Sequence, residues 1–175
     1  MRRLELLVLL AAVAVAPAAC KRKRKVRAEP ANAQLVSVLA MNDPLAAIQL
    51  VRGFYSLEGG AWRWTMKSFA VVLRPPENSG QNGARLDLKL TVPGVIVDKI
   101  GAVTVSATVG GRVLKPETYA QAGDYVYSRD VPAAVLSGDG VLVEFTIDKA
   151  LPPSGGDARE LALVATGVGL TPAPQ

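Results

Sequence analysis

Residues 85–92 read Arg-Leu-Asp-Leu-Lys-Leu-Thr-Val, and this stretch decides the fold. Its apolar side chains alternate strictly with polar ones. Successive side chains of a β-strand point to opposite faces, so the alternation predicts a strand with one face buried and the other in solvent. Strands buried on one face only are typical of antiparallel sheets.

Outside this strand the same two-residue period recurs, with turn residues about every 8–12 positions, as expected of an all-β protein. Gly110-Gly111 is a two-residue hairpin signal, and Met66-Lys67 is interpreted as a tight turn between two short strands. No long amphipathic helix interrupts the series. The pattern predicts an all-β, antiparallel β-sandwich of the jelly-roll type. The predicted strands are 61–65, 68–74, 85–92, 103–109, 112–114, 125–129, 141–148 and 161–168.

One short helix is predicted near the N-terminal end of this domain. In Asn42-Asp43-Pro44, Asp43 is the expected N-cap and Pro44 the first helical residue. Apolar residues at 45, 48, 50 and 51 then give a rough helical stripe, and Gly53 is expected to end it. The apolar segment before it, 35–41, fits a strand or a helical turn.

The first 20 residues have the organisation of an export signal. Arg2 and Arg3 precede an uninterrupted Leu, Val and Ala run over 6–16, which is followed by Pro17-Ala18-Ala19-Cys20. A run of this length is well short of the ~20 residues that span a bilayer as a helix. A charged start, a short apolar core and a small-residue exit are typical of a secretory signal.

The stretch Pro17-Ala18-Ala19-Cys20 resembles the lipobox of bacterial lipoproteins, although Pro17 stands where that family usually has Leu. The resemblance implies cleavage before Cys20, diacylglycerol on its thiol and a membrane partner reached through the lipid. An ordinary signal peptide cut after Ala19, leaving a free thiol, is the alternative. We therefore expect an exported protein anchored in the cell envelope. The expected domains are a signal peptide 1–19, a lipidated basic tether 20–34, a β-sandwich 35–170 and a tail 171–175.

Positive charge is confined to the N-terminal segment. Residues 1–27 hold eight of the 20 Lys and Arg but only one of the 15 Asp and Glu. Residues 28–175 therefore hold 12 basic and 14 acidic residues, a net charge of −2. A domain of mixed charge lacks the basic footprint of a nucleic-acid partner. The run Lys21-Arg22-Lys23-Arg24-Lys25 either binds anionic headgroups or acts as a solvated tether. Positive charge after an apolar run also opposes export.

The residue types argue against catalysis and against a metal or cofactor site. The chain has no histidine, and its single cysteine lies in the tether. No nucleophile elbow, Walker A loop or dinucleotide fingerprint is present. A glycosidase needs only two carboxyl groups, but with 14 acidic residues from residue 28 onward any pair can be nominated. We predict a protein that is not an enzyme.

Residues 53–65 hold the strongest candidate site. Both tryptophans of the chain, Trp62 and Trp64, flank Arg63 and would share one face of a strand. In one interpretation the indoles belong to the core and Arg63 faces solvent. In the other, one indole lies at the rim and stacks on a sugar ring, while Glu58 and Arg63 hydrogen-bond to hydroxyls.

This segment resembles jelly-roll accessory domains of bacterial surface-polysaccharide proteins. Those domains share a Gly-aromatic stretch leading to Glu, an Arg-Trp-Thr motif, an Arg-Glu-Leu run and a Gly-Leu close. The counterparts here are Gly53, Phe54, Glu58, Arg63, Trp64, Thr65, Arg159, Glu160, Leu161, Gly169 and Leu170. The resemblance implies a carbohydrate-associated β-sandwich.

Two interpretations of the charged residues and of the whole protein stay open. Glu58, Arg63, Arg159 and Glu160 either contact a ligand or form a buried Arg–Glu clamp between the first and last strands. The protein is accordingly a carbohydrate- or ligand-binding module of the envelope, or a structural lipoprotein that docks on an envelope protein.

Overall fold

The computed structural model describes residues 34–174. The predicted signal peptide, the lipidation site Cys20 and the tether up to residue 33 lie outside the described residues. Within 34–174 no helix is long and apolar enough to cross a membrane.

The described residues form ten β-strands and four short helices. The strands are β1 Val38–Ala40, β2 Leu50–Phe54, β3 Arg63–Leu73, β4 Ala84–Val92, β5 Val103–Val109, β6 Arg112–Val113, β7 Glu117–Tyr119, β8 Gly123–Val131, β9 Val141–Ile147 and β10 Val164–Pro172. The helices are α1 Ala46–Gln49, α2 Ser79–Asn82, α3 Gly94–Ile100 and a 3-10 helix Ala133–Val135.

Every strand pairing is antiparallel, and strand β3 belongs to two sheets. Its first residues pair with β10, through Arg63 to Ala165 and Trp64 to Val164. Sheet A continues from β10 to β4 and β8, with β1 also paired to β10. From Ser68 onward β3 pairs with β9, and sheet B continues to β5, which pairs with both β6 and β7. This order is that of a jelly roll, so the predicted fold class is confirmed.

The alternating stretch that predicts the fold is strand β4. Leu86, Leu88, Leu90 and Val92 are buried between the sheets, while the residues between them stay at least partly exposed. In the same core Phe69 stacks on Phe145 with ring centroids 4.9 Å apart. The binary pattern of one strand thus fixes which face of sheet A is internal.

The tight turn predicted at Met66-Lys67 is wrong, because β3 runs through it without a break. Met66, Lys67 and Ser68 are consecutive exposed residues, which interrupts the alternation and imitates a turn. They mark the point where β3 leaves β10 and joins β9. There the Lys67 amide donates to the Oε1 carboxylate oxygen of Glu160 at 2.7 Å, in place of a neighbouring strand.

The helix near the N-terminal end exists but is shorter than predicted. α1 has four residues and its N-cap is Leu45, whose amide is bound by the Asp43 carboxylate at 2.8 Å. Strand β2 begins directly after it. Gly53 lies inside β2 with φ 78°, and a Cβ there would stand 2.1 Å from the Ser68 carbonyl oxygen. This glycine therefore permits close strand contact rather than ending a helix.

Other elements and boundaries also differ from the prediction. The sequence pattern did not anticipate β2, β7, α2, α3 or the 3-10 helix, and β10 begins at Val164 rather than at residue 161. The two-residue turn at Gly110-Gly111 is confirmed, with φ 52° and 84° and with β5 paired to β6 across it. Both positive φ values match a type I′ turn, which glycine adopts without strain.

Candidate functional site

A tight hairpin directly precedes β3. Glu58 and Trp62 bond to each other through both main chains, with N···O distances of 2.9 and 3.2 Å. Gly59 and Gly60 form its turn with φ 56° and 67°. The hairpin holds the side chains of Glu58 and Trp62 at one end of the sandwich, where β3 and β10 begin to pair.

The two tryptophans occupy different environments. The Trp62 indole lies against Gly59, where a Cβ would come 2.2 Å from the ring, and 36% of Trp62 stays exposed. Trp64 is half-buried and packs against the core. Trp64 thus lies where an indole of the core is expected, and Trp62 lies where an indole at the rim is expected.

Arg159 is the centre of the charged group at this end. Its Nη1 donates to Glu58 Oε1 at 2.6 Å, and its Nε and Nη2 donate to the two carboxylate oxygens of Asp157, each at 2.9 Å. Its guanidinium carbon lies 5.4 Å from the centroid of the Tyr55 ring. The hydrogen bonds from Arg159 hold the pKa of Asp157 below its ordinary value, and those to Asp157 and Glu58 raise the pKa of Arg159.

The Arg159–Glu58 pair joins the hairpin to the turn that precedes the last strands. About a third of each side chain is exposed, 33% for Arg159 and 38% for Glu58. The pair is therefore solvent-accessible rather than the fully buried clamp of one interpretation. An exposed pair contributes little to stability, and its polar atoms stay within reach of a ligand.

Two of the other predicted residues bind the main chain. Arg63 donates from Nε to the Met41 carbonyl at 3.3 Å and from Nη1 to the Tyr55 carbonyl at 3.1 Å. The Glu160 carboxylate accepts from the Lys67 amide, as described above. Glu58, Trp62 and Arg159 are brought together, Arg63 supports Tyr55 next to them, and Glu160 and Trp64 serve the sheet junction and the core.

Sequence reasoning missed Tyr55 and Asp157 as members of this group. Asp157 is one of 14 acidic residues from residue 28 onward and gives no signal apart from its position two residues before Arg159. Tyr55 contributes its ring to Arg159 and its carbonyl to Arg63. Within residues 34–174 no three His, Cys, Asp or Glu side chains gather as metal ligands would. The group can therefore supply hydrogen bonds, charge and an aromatic surface.

The chain is similar to several solved carbohydrate-binding modules. A carbohydrate-binding module CBM36 in complex with calcium and xylotriose aligns at a TM-score of 0.43 and 6% identity, over 78% of this chain and 100% of that one. The CBM36-1 domain of a multidomain xylanase from the hindgut metagenome of Trinervitermes trinervoides aligns at 0.38 and 8% identity, over 71% and 89%. The CBM51-2 and INT domains of Clostridium perfringens ZmpB, in complex with GlcNAc, align at 0.38 and 12% identity, over 79% and 28%.

No protein-family model matches the sequence, and no curated protein matches it significantly. What the three aligned structures bind is a property of those proteins. The jelly-roll assignment made above rests on the strand pairing of this chain.

Proposed function

We propose that the protein is an exported, lipid-anchored, non-catalytic module that binds carbohydrate of the cell envelope. The observation that carries the proposal is the partial exposure of Trp62 on a hairpin that two main-chain hydrogen bonds close. A flat aromatic face stacks on the C–H face of a pyranose ring and adds a large apolar contact area. Because the indole already rests on Gly59, little rotamer freedom is lost when a sugar arrives.

Hydrogen bonds to the sugar hydroxyls would come from Glu58 and Arg159. Both side chains are partly exposed, and Asp157 holds the guanidinium of Arg159 in one orientation. Aromatic surface next to a few oriented polar groups is the usual composition of a small-molecule site. Charged partners also accept or donate stronger hydrogen bonds than neutral ones.

The ionised state of Asp157 argues against one catalytic role, that of the acid of a glycosidase. A glycosidase acid needs a raised pKa so that it holds a proton near neutral pH. Hydrogen bonds from Arg159 instead lower the pKa of Asp157. A carboxylate that stays ionised and paired with a guanidinium accepts hydrogen bonds but does not donate a proton.

The anchor is proposed to be diacylglycerol on Cys20, with the Lys21–Lys25 run next to the membrane. The basis is the single cysteine of the chain at the end of a lipobox-like signal. Several acyl chains hold a protein firmly, whereas one holds it marginally. Metabolic labelling with a palmitate analogue should label the wild type and not Cys20→Ala. Equal labelling of the two proteins would rule out lipidation at this residue.

A glycan array probed with the full-length protein tests the binding role. We expect binding to at least one envelope-type glycan and its loss in Trp62→Ala, with an unchanged melting temperature. Leu142→Ala, which removes a similarly exposed apolar side chain (38%) on β9, is the control and should bind as the wild type does. If no glycan binds, carbohydrate recognition is excluded.

Docking on an envelope protein is the second candidate function. The observation that favours it is the outer face of sheet A, where Val38 is 59% and Val126 51% exposed. A groove of about 230 Å³ with Gly167 and Gly169 in its floor lies on the same face, between β1 and β4. Co-purification of an envelope protein that is lost in Val38→Asp, together with a negative glycan array, would favour this function.

A further inference from the structure

A cleft of about 630 Å³ opens at the end of the sandwich where β4 begins and β8 ends. We name it the end cleft. It lies apart from the Trp62 hairpin, and residues of both sheets line it. The lining residues used below are Gln81, Asn82, Arg112, Lys115 and Asp130.

The end cleft carries two positive charges that no described side chain neutralises. Within residues 34–174 the side chains of Arg112 and Lys115 make no hydrogen bond or ion pair, and both residues are exposed. The acidic residue of the lining, Asp130, is already paired with Arg85 at 2.8 Å. The cleft is thus locally cationic, although the sequence from residue 28 onward has a net charge of −2.

The loop that carries Lys115 is held rigidly. The Lys115 carbonyl accepts from the Tyr127 hydroxyl at 2.8 Å and from Arg129 Nε at 2.7 Å. Arg129 also bonds the Pro116 carbonyl at 3.1 Å and pairs with Glu117 at 2.8 Å. The main chain that carries Lys115 is therefore fixed, so binding an anion restricts only the side chain.

The opposite wall supplies amide groups. Gln81 and Asn82 are exposed residues at the end of α2, which is followed by Gly83 with φ 78°. A Cβ on Gly83 would stand 2.7 Å from the Val131 carbonyl oxygen, so glycine lets this wall lie directly against β8. Amide side chains both donate and accept, as sugar hydroxyls require.

We propose that the end cleft binds an anionic saccharide. The carboxylate or phosphate of the sugar would pair with Arg112 and Lys115, and its hydroxyls with Gln81 and Asn82. The saccharide nature of the ligand rests on the proposed function, whereas its charge rests on the two cations. The volume falls within the ~300–1,000 Å³ of ordinary ligand sites. None of the described residues that line the cleft is aromatic, so they offer no platform for stacking the bases of single-stranded nucleic acid.

Calorimetric titration of the full-length protein with paired probes tests this inference. Oligogalacturonate is compared with its neutral methyl ester, and dextran phosphate with dextran, to separate a carboxylate from a phosphate ligand. The charged member of at least one pair should bind at least about tenfold more tightly, the gain expected for one charge-assisted hydrogen bond. Raising the salt concentration to about 1 M, where the Debye length is about 3 Å, should weaken this binding.

Variants locate the binding. Arg112→Ala and Lys115→Ala should each raise the Kd about tenfold or more, with unchanged melting temperatures. Lys99→Ala, which removes an exposed cation of α3 outside the cleft, should bind as the wild type does. An equal effect of Lys99→Ala, equal binding of the neutral probes, or tighter binding of a single-stranded oligonucleotide would overturn the inference.

The two proposals fail separately. Binding of neutral glycans alone, with loss only in Trp62→Ala, would overturn the end-cleft inference and leave the proposed function intact. Failure of all charged and neutral glycans would overturn both.

Discussion

Arg159 Nη1 lies 2.6 Å from Glu58 Oε1, although the two residues are 101 positions apart in the sequence. The jelly-roll topology explains this proximity. The Tyr55 amide donates to the Trp64 carbonyl at 3.0 Å, and the Thr65 amide donates to the Leu163 carbonyl at 2.8 Å. The segment that follows β2 and the segment that precedes β10 therefore both lie beside the first residues of β3. The ion pair therefore joins the hairpin that carries Trp62 to the turn that carries Asp157.

Glu58→Gln should weaken glycan binding and lower the melting temperature only slightly. The substitution removes the charge that faces Arg159 but keeps the side-chain shape, and partly exposed ion pairs contribute little to stability. Glu144→Gln is the matched control, because it breaks the exposed Arg52–Glu144 pair, which is 2.7 Å long and lies on sheet B. A large loss of melting temperature in Glu58→Gln with unchanged binding would mean that the pair is only a clamp.

Acidification should remove the contribution of Asp157 to stability. Its folded-state pKa is lowered by hydrogen bonds from Arg159, so the contribution is present above the unfolded value of about 3.9. It is lost as the pH falls through the folded pKa. Melting temperatures measured between neutral pH and pH ~2 should fall less steeply in Asp157→Asn than in the wild type. Parallel curves would contradict this role.

Gly53→Ala should destabilise the fold strongly, and Gly60→Ala only moderately. Both glycines have positive φ, which costs an L-residue about 1–2 kcal/mol. A Cβ at Gly60 meets open space, whereas one at Gly53 clashes with the Ser68 carbonyl and adds overpacking of about 1–3 kcal/mol. Urea unfolding of the two variants measures the difference. Equal losses of unfolding free energy in the two variants would show that β2 and β3 can separate at Gly53 without cost.

Glu160→Ala should expose the junction where β3 changes sheets. The Lys67 amide then loses its acceptor, and its hydrogen exchange should become faster. Glu160→Gln keeps a carbonyl oxygen at that position and should retain most of the protection. Fast exchange of this amide in the wild type would contradict the hydrogen bond itself.

The strands that sequence analysis predicted well are those whose signal is local. Residues 85–92 and 103–109 alternate because one face of each strand is buried, and β5 occupies the predicted range without change. The course of β3 was not predictable in this way. Where it changes partners, the Lys67 amide bonds to Glu160, which is 93 positions away in the sequence.

The candidate site was predicted in part for the same reason. Aromatic residues are few, so Trp62 and Trp64 were conspicuous, but their pattern did not tell which one is exposed. That difference arises from the Glu58–Trp62 hairpin, which places one indole against Gly59. Asp157 carries no signal beyond its position two residues before Arg159, because only the contact of Arg159 with the distant Glu58 makes that position part of the group.

The central claim is that the indole of Trp62 contacts a sugar. The chain has two tryptophans, so a ¹H–¹⁵N spectrum of the full-length protein has two indole N–H resonances, which Trp62→Phe assigns. Titration with a glycan selected on the array should shift the Trp62 indole resonance and leave that of Trp64, which packs against the core, nearly unchanged. A glycan that binds without moving the Trp62 resonance would contradict the account.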